Sequence, residues 1–177
     1  MVGYGYCVQD RRDQELTSRR IIGGDSELVC DWVAARVGAE WSVGKGQGIG
    51  LARGEDLIAG VVFDSFNGAS VCMHVAAEPG AKWMTKSYLY LCFAYPFKQL
   101  KVKKILGLVG SDNLQAQKFD EHLGFVLEAT LKEAHPKGDL LVYSMTADQC
   151  PWLNLKVSSW EVLSASQSLL KPLITRP

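Results

Sequence analysis

The chain has 177 residues, enough for one domain with a substantial core. Its 19 Lys plus Arg balance its 19 Asp plus Glu, so no overall field recruits nucleic acid or an anionic membrane, and only a local basic patch would do so. No apolar run approaches the roughly 18–20 residues of a membrane span, and the N-terminal run MVGYGYCVQDRRDQEL lacks an apolar signal core, which makes a cytoplasmic protein the expectation.

Residues 1–24 are polar and weakly periodic and read as an irregular arm, with a strand near Ser18–Ile22. Asp25 or Ser26 can cap a helix running to about Val37, with Leu28, Val29, Trp32, Val33 and Val37 on a broad apolar face. Two apolar runs, Ile49–Arg53 and Leu57–Phe63, flank Gly54-Glu55-Asp56 and predict a hairpin. Asn67-Gly68 turns the chain into a third strand, Ser70–Ala76. After Pro79-Gly80 a helix is expected from about Trp83 to Tyr95, ended by Pro96. Met84, Tyr88, Leu91, Cys92 and Tyr95 lie on its one apolar face.

A strand, Lys104–Val109, leads into SDNLQAQKFDEHLGF, the most informative run of the chain. Asp112 can cap a short helix with Gln115 completing a capping box. Ala116, Phe119 and Leu123 form its buried stripe, and Gly124 suits the left-handed position at its end. Strands Val126–Glu133 and Leu140–Met145 follow, joined by the 135–139 turn. Beyond Cys150-Pro151-Trp152, a capping box at Ser158-Ser159-Trp160-Glu161 opens an appended helix ending before Pro172. The division read from this is an arm at 1–24, a domain at 25–153 and a C-terminal helix at 154–177. Antiparallel strands followed by crossover helices make it α/β, with a mixed central sheet flanked by helices.

Few residues announce chemistry unaided. The five cysteines are scattered without a C-x-x-C pair, and the three histidines are far apart, so neither a disulfide framework nor a metal site is expected. No Walker loop or G-x-S-x-G elbow occurs.

From about Leu28 to Leu153 the order of elements resembles the GNAT acyl-CoA N-acyltransferases. The carrying residues are Trp83-Met84-Thr85-Lys86, Tyr95-Pro96-Phe97, Asn113-Leu114-Gln115-Ala116 with Leu123-Gly124-Phe125, Asp139 through Tyr143 and Met145, and Cys150-Pro151-Trp152-Leu153. In this set the chain is most similar to a group of small GNAT-like proteins, many of them phage- or prophage-encoded. The resemblance implies a sheet with a splayed strand pair, an acetyl-CoA cosubstrate, a primary amine acceptor and no metal.

It also implies roles by position. The pyrophosphate loop of the family matches Gly80 through Thr85, with Trp83 and Thr85 where glycines are usual. Lys82, Trp83, Met84, Thr85 and Lys86 would then bind phosphate through helix-terminal amides and lysine charge. Otherwise Trp83 is a core residue and the lysines are simply solvated. Val75, Ala76 and Ala77 would pair with the pantetheine arm like an added strand and polarise the thioester carbonyl. Asn113 would bind the pantetheine or phosphate region, or do no more than cap its helix.

His74 and Glu78, on and just after the third long strand, are the two candidates for the base. The position that holds a proton-donating Tyr in many members is Asp120 here. An ionised Asp cannot donate, though a buried one with a raised pKa could; the expectation is that Asp120 is an exposed helix charge, with water carrying the proton.

Two other readings stand beside the acetyltransferase: a GNAT-fold binding protein without catalysis, and a nucleic-acid-modifying transferase. The neutral charge argues against the latter, and the Lys98, Lys101, Lys103, Lys104 run is its one basic cluster. The acceptor, a small molecule or a protein, would meet the first helix, the Glu40–Gly46 loop and the 134–139 turn. A homodimer covered by Trp152 and Trp160 is one arrangement; these tryptophans on the chain's own core are the other.

Overall fold

The computed structural model describes residues 18–23, 26–38 and 46–157. In chain order these form β1 (Arg19–Ile22), α1 (Ser26–Val37), β2 (Gln47–Arg53), β3 (Asp56–Asp64), β4 (Ser70–Ala77), α2 (Lys86–Ala94), β5 (Lys104–Gly110), α3 (Leu114–Leu123), β6 (Val126–His135) and β7 (Gly138–Thr146). A short 3-10 turn follows at Pro151–Asn154. The expected arm before residue 18, the Glu40–Lys45 part of the loop and the C-terminal helix beyond residue 157 lie outside the described residues. Among the described residues no helix is long and apolar enough to cross a membrane.

One seven-stranded sheet runs in the order β1-β2-β3-β4-β5-β7-β6, and only β4 and β5 are parallel neighbours. That is the mixed α/β sheet the sequence predicts, and the strands fall where the alternating and apolar runs place them. The β2–β3 hairpin closes with Arg53 opposite Asp56.

The core has two parts. On one face, Val29 and Val33 of α1 pack on Leu57, Val62 and Ala76. On the other, Tyr88, Leu89 and Phe93 of α2 and Leu123 of α3 meet Ile49, Val61, Ile105, Tyr143 and Met145. Burying the Tyr88 hydroxyl is offset by a 2.8 Å hydrogen bond donated to the Ile49 carbonyl. Trp152 stacks on Phe93 and donates from Nε1 to the Leu123 carbonyl at 2.8 Å. It therefore serves the chain's own core; Trp160 lies outside the described residues.

Four local expectations change. The apolar face of α1 is narrower than its sequence pattern, since Leu28 and Val37 are exposed. The second helix begins at Lys86, not Trp83, because Thr85 has extended backbone angles and its hydroxyl takes the N-cap position. Pro96 does not end the helical path. A π turn, Tyr95–Gln99, starts there with the proline at its first turn, where the missing N–H costs little. Asn113, not Asp112, caps α3 by accepting the Ala116 N–H at 3.0 Å.

Candidate acyl-donor cleft

The site follows from how two strands part. β4 and β5 pair only through Ser70 with Lys104, Val71 with Ile105 and Cys72 with Leu106. Beyond that point β4 stays with β3 as far as Ala77, and β5 stays with β7 as far as Gly110. Each strand keeps its outer neighbour and loses its inner one, so a wedge opens between two inner edges that meet no strand. The resulting cleft holds about 380 Å³. Its walls are Met73, His74 and Val75 on one side and Gly107 to Gly110 on the other. Asn113, Ala116, Phe119 and Asp120 of α3 form its floor, and Arg36, Val37 and His135 stand at its margin.

The expected residues divide among four places. His74 and Val75 line the cleft, as does Asn113. Ala76 packs under α1, and Ala77 is the last paired residue of β4, opposite Ala59. Glu78 lies outside the cleft, its side chain 2.5 Å from Arg36 and its N–H donated to the Ile58 carbonyl. The structure therefore separates the two candidate bases. Arg36 in turn lies 3.5 Å over the Trp32 ring, a cation–π contact that fixes the Arg36–Glu78 pair beside the cleft.

The loop before α2 alternates. Lys82, Met84 and Lys86 point outward and are exposed, whereas Trp83 turns inward against the rings of Tyr88 and Phe119. The Trp83 N–H donates to the Ala81 carbonyl at 3.0 Å and the Thr85 N–H to the Trp83 carbonyl at 2.7 Å. Two of the amides expected to face phosphate are thus engaged within the loop. The N-cap oxygen of Asn113 is likewise committed to its helix, which leaves the donors of its side-chain amide as what it can offer a ligand.

Asp120 overturns its expectation. It is not an exposed helix charge: burial raises its carboxyl from the ordinary 3.8 to about 6. Its Oδ2 lies 2.9 Å from where a Cβ on Gly107 would stand, so glycine at 107 is what lets the carboxyl lie against β5. Beside it, the Tyr143 hydroxyl donates to Glu121 Oε1 at 3.4 Å. Burial raises the Tyr143 phenol, with the charges of Glu121 and Asp120 adding to it. The α3 terminus holds this arrangement still. Gly124 adopts φ +99°, and the Phe125 N–H reaches the Asp120 carbonyl while the Gly124 N–H reaches that of Glu121, a Schellman closure.

His74 faces the cleft from the α1 side of the sheet, with Nε2 3.2 Å from Asp64 Oδ2. The two form an imidazole–carboxylate pair beside the cleft. The cleft thus has an imidazole reaching it from one sheet face and a carboxyl of raised pKa from the other.

Among the lining residues with charged or titratable side chains, Arg36 and His135 are the two the sequence did not single out. His135 arrives because the β6–β7 hairpin is tied to the β5–α3 turn: the Ser111 N–H donates to the Asp139 carbonyl, and the Asp139 N–H donates to Ser111 Oγ. Asp112 then sits 3.6 Å from both His135 Nδ1 and Lys137 Nζ. Among the described residues no three His, Cys, Asp or Glu side chains group closely enough to hold a metal.

No protein-family model matches the sequence, and no curated protein matches it. Solved structures do match in fold. A single-residue mutant of the spermidine N-acetyltransferase SpeG from Vibrio cholerae superposes with a TM-score of 0.59 at 17% identity, over 77% of this chain and 96% of that one. The same enzyme in complex with CoA and spermine gives 0.58 at 17% identity, over 77% and 98%. At that identity the likeness is one of architecture, and it agrees with the forked sheet and its flanking helices. The chain has the fold of the GNAT acyltransferases.

Proposed function

We propose that this chain is an N-acetyltransferase that moves an acetyl group from acetyl-CoA to a primary amine by direct attack. The observation that carries the reading is the β4–β5 fork with a buried carboxyl, Asp120, at its floor. An extended pantetheine arm fits the inner edge of β4 at Val75 to Ala77 as an added strand would. The exposed Lys82, in the loop before α2, and Lys86, its first residue, would take the phosphates.

In this reaction the amine nitrogen attacks the thioester carbonyl, the C–N bond forms and the C–S bond breaks. A backbone N–H on the inner edge of β4 stabilises the charge developing on the carbonyl oxygen. The His74 imidazole accepts the proton the nitrogen loses, directly or through one water. The departing thiolate takes the proton of the Asp120 carboxyl. With its pKa near 6, Asp120 keeps a usable protonated fraction near neutrality where an ordinary Asp would not. Solvent then returns a proton from His74 to Asp120.

The neighbours named above are spermidine N-acetyltransferases, one of them solved with spermine, so polyamines come first in an acceptor screen. Aminoglycosides, peptide N-termini and lysine-bearing proteins follow. A nucleic-acid acceptor is disfavoured. Two of the four lysines of its basic run are used within the chain, Lys98 on the Tyr90 hydroxyl and Lys104 on Glu128.

One observation favours a second reading, a GNAT-fold binding protein without turnover: the internal bonds of the Trp83 and Thr85 amides. Calorimetry with acetyl-CoA, followed by the screen with thiol release as readout, separates the two. Binding with turnover on any amine supports the enzyme. Absence of both binding and a rise in melting temperature at saturating acetyl-CoA removes the cosubstrate and the reaction together.

A further inference from the structure

A second groove lies against the cleft. It holds about 550 Å³ between α1 and the start of β3, and Arg36 lines both spaces. Leu28, Trp32 and Arg36 fall at i, i+4 and i+8, on one face of α1. At 1.5 Å per residue that wall is about 12 Å long. Packing sets its direction. Arg36 stands at the cleft margin, whereas Leu57, which lines the groove, and Val29 both crowd the position that a Cβ on Gly50 would take. The groove therefore runs from the cleft toward the β2–β3 turn.

Its charges are paired unevenly. At the cleft end Arg36 and Glu78 neutralise each other, and the Arg36 guanidinium lies on the Trp32 ring. Along its length the wall is apolar, formed by Leu28, Trp32, Leu57 and Ile58. At the far end Glu55 and Asp56 are exposed. Among the described residues neither forms an ion pair, not even with Arg53 opposite Asp56 across the turn.

We propose that this groove seats the far end of the acceptor, and that the acceptor is a linear amine with a second ammonium group on the order of 12 Å from the attacking nitrogen. The inference rests on the acyltransferase reading, and it adds which amine that reaction takes. The attacking nitrogen loses its proton in the cleft. The second nitrogen keeps its charge, which Glu55 and Asp56 complement. The methylene chain between them covers the apolar wall of Leu28 and Trp32, removing it from water. A monoamine of the same length covers that wall but leaves both carboxylates unmatched. An amine with a carboxylate at its far end is repelled by them.

Diaminooctane and octylamine, equal in chain length and unequal in charge, test this on the full chain. With acetyl-CoA present and thiol release as readout, KM for the diamine should lie about five- to tenfold below that for the monoamine at similar kcat, and added salt should narrow the gap. Glu55→Gln and Asp56→Asn together should raise KM for the diamine by about that factor with kcat unchanged, closing most of the gap. Melting temperature checks the fold, and Glu55→Gln alone is measured if the pair of changes unfolds the chain. Calorimetry of both amines reads the groove apart from the reaction. Tighter binding of the diamine, lost in the double variant, supports the groove even where absent turnover removes the acyltransferase reading. Equal KM or equal affinity for the two amines, or binding of neither, overturns the proposal, while acetylation of octylamine would leave the acyltransferase reading standing. A preference for the diamine that the double variant leaves intact overturns it as well, by placing the second charge elsewhere.

Discussion

The two halves of the sheet bury their strands differently. β2 and β3 are covered on both faces, and their residues from Gln47 to Ala52 and from Leu57 to Phe63 are all buried. β6, at the other edge, has nine of its ten residues exposed. A strand covered twice reads as an unbroken apolar run, whereas a strand covered once or at an edge reads as mixed. The boundary between the regimes is the fork at Cys72 and Leu106, which is also the candidate site. The first half is a rigid support for β4; the second carries β5, Gly107 and the α3 floor. The proposed chemistry lies where the two supports stop sharing hydrogen bonds.

That contrast is broken most directly by a polar substitution in each half. Val62, fully buried between β3 and α1, becomes an unpaired buried carboxylate in Val62→Asp and should lose more than about 4 kcal/mol of stability. Leu127, 52% exposed on β6, should change stability by less than about 1 kcal/mol in Leu127→Ser. Urea unfolding of both variants is the measurement. Comparable losses would mean that the edge half is as tightly built as the doubly covered one.

The next largest effects concern the cleft. Asp120→Asn keeps the shape but cannot give a proton to the thiolate, so turnover should fall by about 10²-fold with acetyl-CoA affinity unchanged. His74→Ala should cost a similar factor. Glu78→Gln, which touches Arg36 outside the cleft, should stay within a few-fold. A larger loss at Glu78 than at His74 would reverse the assignment of the base.

The sequence revealed these elements unevenly, and for physical reasons. Element order and the Asn113-to-Phe125 unit were legible, because capping residues, a buried stripe and a glycine at the helix end act locally. The splay is not local. It depends on β4 and β5 each keeping a different outer neighbour, and only the resemblance implied it. Asp120 was misjudged because its burial is set by Gly107, thirteen positions earlier, and by Tyr143 on another strand. A charged residue in a helical pattern carries no mark of what the sheet places beneath it. The helix start was missed similarly: the Trp83 spacing suits a helix, but its ring is drawn to Tyr88 and Phe119, and Thr85 makes the better cap.

The phosphate loop gives a smaller effect. Lys82→Glu or Lys86→Glu should weaken acetyl-CoA binding by about 1–2 kcal/mol, and added salt should shrink the difference from wild type. Because both lysines are exposed, the fold should not suffer. Equal affinity for wild type and both variants would leave the engaged amides of Trp83 and Thr85 as the loop's dominant feature and strengthen the binding-protein reading.

The smallest expected effect isolates the protonation of Asp120 from its proposed catalytic role. Its folded pKa, about 6, stands above its ordinary 3.8 because burial disfavours the charge. The native state therefore holds this proton more tightly than the unfolded chain does. The stability this contributes is complete below about pH 4 and is lost as pH rises through about 6. Above that, the native state carries a buried carboxylate, at a cost of at most ~3 kcal/mol relative to the neutral group. Asparagine does not titrate, so Asp120→Asn removes the cost. Allowing for lost side-chain contacts, the variant should be about 1 kcal/mol more stable than wild type at pH 7.5, with the gain vanishing near pH 4. Melting temperatures of the two proteins at both pH values give the answer, and their difference cancels every other titrating group. A variant less stable than wild type at pH 7.5 would mean that the Asp120 carboxylate is satisfied in the cleft, and that its proton is not held for a leaving thiolate.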